Sequence, residues 1–177
     1  MATAKSKNLQ FHYTTYIATS PAKLWAALTN GRLSRKYFFG RQLESDWKVG
    51  GPIIYWADRS TVDIQGEVME YTPPHKLVFT FTTATDPLAR QRVKPTRVSF
   101  VIKPMGKTSK LTLTHSNLLP DDFEANADTF RGLNNGWPAI LANLKTLLET
   151  GKTLDLPAKD HTKEDASAKP KKRMTQK

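Results

Sequence analysis

Residues 127–151, ADTFRGLNNGWPAILANLKTLLETG, form a long periodic segment near the C-terminus of this 177-residue sequence. Apolar side chains recur there mostly in steps of three and four, at positions 127, 130, 133, 137, 140, 141, 144, 147 and 148. This spacing is typical of a helix with one buried face. Because Gly132, Gly136 and Pro138 interrupt it, the pattern predicts either one long kinked helix or a loop leading into a helix that begins near Asn135.

Short alternating segments precede this helix, between residues 41 and 117. Glycine- and proline-rich turn signals such as Gly50-Gly51-Pro52 and Thr72-Pro73-Pro74 separate them. Apolar side chains alternate with polar ones within a segment, as at Leu77, Phe79 and Phe81. The predicted strands cover residues 52–57, 61–71, 76–83, 96–103 and 110–115. Successive strands joined by short turns predict an antiparallel meander.

The N-terminal part of the sequence predicts one strand and two short helices. Residues 9–17, LQFHYTTYI, are aromatic and β-branched, as strands are. Ser20 followed by Pro21 is a helix start, and Asn30-Gly31 marks the end of that helix. A second short helix is expected over residues 32–39. With the strands and the last helix, this order predicts an α+β fold of the helix-grip type, a curved antiparallel sheet wrapped around the long C-terminal helix. A cleft between sheet and helix is a usual place for a small ligand.

Charge and composition limit the remaining possibilities. The 177 residues suit one domain, and no cysteine is present, which excludes disulfides, thiol nucleophiles and cysteine zinc sites. The net charge of +11 lies largely in the two ends. We interpret residues 1–8 as a flexible N-terminus and 152–177 as a basic, disordered tail, for which weak nucleic-acid contact is an alternative. Without an apolar leader or an 18-residue apolar run, a cytoplasmic protein is expected.

Six segments carry a resemblance to a known family. They are 16–29 (YIATSPAKLWAALT), 44–50 (ESDWKVG), 66–70 (GEVME), 74–79 (PHKLVF), 111–115 (LTLTH) and 136–149 (GWPAILANLKTLLE). In this order they resemble the START-like superfamily and, within it, the group named after the C-terminal domain of the Hsp90 ATPase activator. The resemblance covers about residues 10 to 151. It implies the START/Bet v 1-like helix-grip fold, one domain over residues 9–151, and a cavity between sheet and helix.

The resemblance leaves several functions open, because the fold is shared by proteins with different activities. The leading hypothesis is a hydrophobic or amphipathic small molecule, lipid or polyketide-like, held in the cleft without covalent chemistry. One alternative is a cochaperone-like module that binds an Hsp90-type chaperone. The additional N-terminal domain of the eukaryotic cochaperone is expected to be lacking, which weighs against Hsp90 stimulation. A second alternative is a cyclase- or aromatase-type enzyme in which His115 orients a polyketide-like substrate.

Side chains on the inward faces of the predicted strands and last helix are the candidates for the cavity. His115 is the polar one among them, and we expect it to orient a ligand. The predicted cavity residues are Phe79, Phe81, Phe100, Leu113, His115, Trp137 and Leu141.

Catalytic and cofactor motifs are missing from the sequence. Neither a phosphate-binding glycine loop nor a paired-histidine zinc helix is present, so no cofactor or metal is expected. No nucleophilic triad follows from residue spacing, and no catalytic residue is assigned. The cationic group Arg90, Arg92, Lys94 and Arg97 is interpreted either as an anion-recognising loop at the cleft mouth or as a solvated loop.

Overall fold

A computed structural model describes residues 9–156, and its elements follow the predicted order. The strands are β1 (Leu9–Ile17), β2 (Gln42–Ser45), β3 (Pro52–Trp56), β4 (Val62–Thr72), β5 (Lys76–Thr83), β6 (Thr96–Met105) and β7 (Thr108–Leu118). The helices are α1 (Pro21–Thr29), α2 (Gly31–Tyr37) and α3 (Leu133–Thr150), with single 3₁₀ turns at Ala89–Gln91 and Pro120–Asp122. The predictions for residues 1–8, and for the tail beyond residue 156 with its nucleic-acid contact, lie outside the described residues.

The strands form one seven-stranded antiparallel sheet in the order β1-β7-β6-β5-β4-β3-β2. The curved sheet and the C-terminal helix confirm the predicted helix-grip architecture. Strand β2 was not predicted as a separate element. Its sequence QLES has a single buried side chain, Leu43, so the strand depends on its ladder to β3 and not on a local pattern. Strand β7 is longer than predicted because it is paired on both sides, with β1 and β6.

Helix starts follow the local capping signals. The Ser20 hydroxyl accepts a hydrogen bond from the backbone N–H of Lys23, and Pro21 occupies the first turn of α1. Asn30 ends α1 and caps α2, which explains why the two helices meet without a loop. For the last helix, the loop alternative is confirmed, and α3 begins at Leu133, two residues before the predicted start.

The core lies between the inner face of the sheet and the apolar face of α3. Along β5, β6 and β7 the alternating residues predicted to share a face are all buried. They are Leu77, Phe79 and Phe81, then Val98, Phe100 and Ile102, then Leu111, Leu113 and His115. Helix α3 buries Trp137, Ile140, Leu141, Leu144 and Leu147 against them. His115 is the polar member of this set and is 1% exposed.

Two strands approach each other closely at Gly66. A Cβ built there would lie 1.7 Å from the backbone oxygen of Thr80 on β5. The Thr80 hydroxyl also accepts a hydrogen bond from the backbone N–H of Glu67 at 2.8 Å. A side chain at position 66 would therefore force the two strands apart.

Candidate functional site

A pocket of about 320 Å³ opens between α3, strands β4–β7, the segment that follows α2 and two loops. The first loop joins β5 to β6, and the second joins β7 to α3. The volume of the pocket lies at the small end of the range of ligand-binding cavities, which begins at about 300 Å³. The pocket is thus of a size for a small molecule.

Aromatic side chains form the inner wall of this pocket. The Trp137 ring lies 5.7 Å from the Phe38 ring, edge to face, and 5.9 Å from the Phe81 ring, measured between centroids. Phe81 also contacts the His115 ring at 5.1 Å. Separations of this kind are favourable aromatic contacts. The rings hold one another in fixed positions and present an apolar surface to the pocket.

His115 and Trp137 are joined by a buried hydrogen bond. The indole Nε1–H of Trp137 donates to Nδ1 of His115 over 3.0 Å. An indole nitrogen only donates, so Nδ1 is the acceptor and the neutral imidazole carries its proton on Nε2. Nε2 is buried and has no hydrogen-bond partner within residues 9–156. His115, which lines the pocket, therefore has an unused N–H donor.

Burial keeps His115 neutral. The loss of hydration lowers the pKa of the imidazole to about 3. The carboxylate of Asp122 opposes this effect, and the guanidinium of Arg92 adds to it. At neutral pH the ring is consequently a hydrogen-bond donor without a charge.

Arg92 ties the two loops together at the pocket mouth. Its Nε–H donates to Asp86 over 2.6 Å, and its two terminal nitrogens donate to both carboxylate oxygens of Asp122. All three side chains are about nine-tenths buried. The hydrogen bond to Asp122 raises the pKa of Arg92 above its ordinary value, although burial opposes the rise, and Asp86 contributes further. Arg92 is therefore a structural cross-link between residue 86 in one loop and residue 122 in the other.

Asp122 stays ionised within this cluster. Burial by itself would raise its pKa, but the hydrogen bonds from Arg92 and from the backbone N–H of Leu119 outweigh that effect and lower the pKa. Arg41, which also lines the pocket, forms an ion pair with Asp63 and donates to the Phe39 carbonyl over 2.9 Å. Both pocket-lining arginines thus have carboxylate partners.

Three of the seven predicted cavity residues line the pocket: Phe81, His115 and Trp137. The other four lie in the buried core around these three and do not line it. These are Phe79, Phe100, Leu113 and Leu141, each at most 3% exposed. Residue alternation identifies the inward face of a strand. It does not indicate at which position along that strand the closely packed core ends and the pocket begins.

The polar side of the pocket was missed by sequence reasoning. Of the cationic group predicted to be an anion-binding or solvated loop, Arg90, Lys94 and Arg97 are exposed, while Arg92 is buried between carboxylates. Its partner Asp122 is 30 residues away. The one available signal was that Asp86 and Asp122 flank the same predicted sheet end. No group of three or more metal-ligating acids or histidines lies together in the described part of the chain.

Comparison with known proteins places the chain in a family. A profile described as activator of Hsp90 ATPase homolog 1-like protein matches residues 18–149. The chain belongs to this family. The match confirms the resemblance noted from the six sequence segments. A search of curated proteins gives no match.

Solved structures of related proteins share the fold. The Aha1 dimer from Colwellia psychrerythraea has a TM-score of 0.63 and 22% identity, covering 81% of this chain and 98% of that one. An HSP90 activator from Plasmodium falciparum has a TM-score of 0.61 and 26% identity, with coverages of 78% and 95%. A protein from Mesorhizobium loti has a TM-score of 0.63 and 26% identity, with coverages of 79% and 96%.

No helix within residues 9–156 has the length and apolar character needed to span a membrane.

Proposed function

We propose that this protein binds a hydrophobic or amphipathic small molecule in the pocket beside α3. The observation that carries the proposal is the wall formed by Phe38, Phe81 and Trp137 around a space of about 320 Å³. Apolar surface on a bound molecule gains free energy when it leaves water for such a wall, about 25 cal/mol per Å². The proposal includes no covalent step, because the one histidine at the wall is neutral and bonded to an indole.

Direct titration tests this function. The neutral probe 2-isopropylnaphthalene is added to ¹⁵N-labelled protein, and the indole Nε1–H signal of Trp137 reports on the pocket. We expect a saturable shift of the Trp137 signal. The indole of Trp56, which donates to Glu44 away from this pocket, serves as the internal control and is expected to stay unchanged.

A matched pair of variants locates the binding. Leu133 and Leu148 both lie on α3, partly buried against the core, but only Leu133 lines the pocket. Leu133→Trp is expected to fill the pocket and abolish the shift, while Leu148→Trp retains it. Equal binding by both variants, or the absence of binding by the wild type, would contradict the proposal.

A second candidate function is an Hsp90-directed interaction. The family description and the 26% identity to the HSP90 activator from Plasmodium falciparum support it. Calorimetric titration of the full chain into purified Hsp90, followed by a measurement of Hsp90 ATPase rate, tests this candidate. Heat of binding with a raised ATPase rate supports it, and no heat at micromolar concentrations opposes it. Pocket-filling Leu133→Trp separates the two candidates, since an interaction through the protein surface does not require an open pocket.

A further inference from the structure

The Nε2–H group of His115 is a hydrogen-bond donor without an acceptor in the described part of the chain. His115 lines the pocket, and its Nε2 is covered by neighbouring atoms. Buried polar groups in proteins are nearly always hydrogen-bonded, so an exception needs an explanation. A ligand oxygen that moves the covering atoms aside would provide the missing acceptor.

Trp137 fixes the direction of this donor. Its indole N–H donates a hydrogen bond to Nδ1 of His115 over 3.0 Å, so the proton of the neutral imidazole lies on Nε2. The edge contact with Phe81 at 5.1 Å further restrains the ring. Trp137 is thus a positioning residue for His115. A donor held in one orientation before binding loses little freedom when a ligand arrives.

The charges around the pocket select against an anionic head group. Two arginines and four aspartates line it, an excess of two negative charges. The two lining arginines, Arg41 and Arg92, are already paired with carboxylates. An incoming carboxylate would meet like charge at Asp121 and Asp122 and find both guanidinium groups engaged.

We infer that the pocket binds a neutral molecule with an apolar ring or chain and a carbonyl or ether oxygen, and that this oxygen accepts a hydrogen bond from Nε2–H of His115. This inference rests on the proposed small-molecule function and specifies its ligand class. Free fatty acids and other carboxylates are excluded from that class. The apolar part of the ligand contacts Phe38, Phe81 and Trp137, and its oxygen points towards the β7 side of the pocket.

Three naphthalene probes of one shape test the inference. They are 2-acetonaphthone, which has a neutral carbonyl, 2-isopropylnaphthalene, which lacks an acceptor, and 2-naphthoate, which is anionic. We expect the ketone to bind about tenfold more tightly than either of the others, a difference of about 1.4 kcal/mol. The hydrocarbon is the most apolar of the three, so hydrophobicity alone would give the opposite order.

Variants of His115 give the second half of the test. In His115→Leu the advantage of the ketone over the hydrocarbon is expected to disappear while the hydrocarbon still binds. If that variant does not fold, His115→Leu/Trp137→Phe replaces both partners of the hydrogen bond with apolar groups and leaves neither unpaired. In the wild type, the Hε2 proton signal of His115 is expected to move downfield with the ketone and to stay in place with the hydrocarbon.

A substitution of Asp121 tests whether the negative charge of the pocket disfavours anionic ligands. Asp121 is exposed at the pocket, and Asp121→Asn is expected to strengthen naphthoate binding several-fold and so to reduce the preference for the ketone over naphthoate. Equal affinities of the wild type for ketone and hydrocarbon would overturn the inference and leave the proposed function standing. Tightest binding of naphthoate would also overturn it. Failure of all three probes to bind would overturn the proposed function itself.

Discussion

The indole nitrogen of Trp137 and Nδ1 of His115 lie 3.0 Å apart, and their hydrogen bond connects α3 to β7 in the core. Both residues are almost completely buried, at 3% and 1% exposure. The bond thus satisfies a donor and an acceptor that water does not reach. It also gives the helix and the sheet a specific polar contact in the core.

Removing the indole donor is expected to destabilise the fold. In Trp137→Phe, Nδ1 of His115 is left buried without a donor, and we expect a loss of about 1–3 kcal/mol beyond that of a matched Trp-to-Phe change. Trp25→Phe is the control, because Trp25 is also buried and contacts an aromatic ring, that of Tyr71. Urea unfolding of both variants measures the difference. Equal losses would show that the hydrogen bond contributes nothing.

Stability is expected to fall as pH falls because of His115. The folded-state pKa of about 3 lies below the value near 6.5 of an unfolded histidine, so the unfolded chain binds the extra proton. The contribution is complete above about pH 6.5 and is lost as pH decreases towards 3, by about 1.4 kcal/mol per pH unit within that window. Urea unfolding between pH 6.5 and 5 measures it, before ordinary carboxylates titrate.

The variant His115→Asn isolates that contribution. Asparagine does not titrate, and its side-chain oxygen takes the place of Nδ1 as an acceptor for Trp137. We expect the stability of this variant to be nearly independent of pH between 6.5 and 5. A slope equal to that of the wild type would assign the pH dependence to other groups.

Arg92 is expected to be essential for the two loops at the pocket mouth. Arg92→Met leaves the carboxylates of Asp86 and Asp122 buried and unpaired, and we expect a loss of about 3 kcal/mol. Arg92→Lys keeps the charge but lacks the fork of guanidinium nitrogens that donates to both carboxylates, so an intermediate loss is expected. Thermal unfolding compares them with Arg90→Met, an exposed position in the same loop. A Tm for Arg92→Met as high as that of Arg90→Met would refute the cross-link.

Gly66 is expected to tolerate no side chain. In Gly66→Ala the new methyl group meets the Thr80 backbone oxygen at 1.7 Å, so β4 and β5 must separate locally. We expect a loss of about 3 kcal/mol in urea unfolding. Gln65→Ala provides the comparison, since the preceding residue of the same strand is exposed. Similar midpoints for the two alanine variants would mean that the strands adjust without cost.

Local signals in the sequence account for most of the secondary structure. Strands β1 and β5 have the predicted bounds, and Ser20-Pro21 starts α1 as expected. These features depend on side-chain alternation and capping chemistry, which neighbouring residues determine. Strand β2 depends on its ladder to β3, and α3 begins at Leu133 without a side-chain cap at Gly132, so neither has a local signal in the sequence.

The candidate site was predictable only in part. Phe81, His115 and Trp137 were identified because periodicity placed them on inward faces, and they line the pocket. The hydrogen bond between His115 and Trp137 was not predicted, since it requires the distance between a strand and a helix that are adjacent only in the folded chain. The pairing of Arg92 with Asp122 escaped detection in the same way.

The sequence by itself determined the order of elements, the helix-grip architecture and the inward faces of the sheet. These follow from apolar periodicity, which is a local property and indicates which face of each element is buried. Only the tertiary structure decided which inward residues reach an open pocket and which pack solidly. It also decided that Arg92 is a buried cross-link and that Nε2 of His115 is left without a partner. These outcomes depend on ångström-scale distances between segments far apart in the chain, and no residue pattern along one segment contains them.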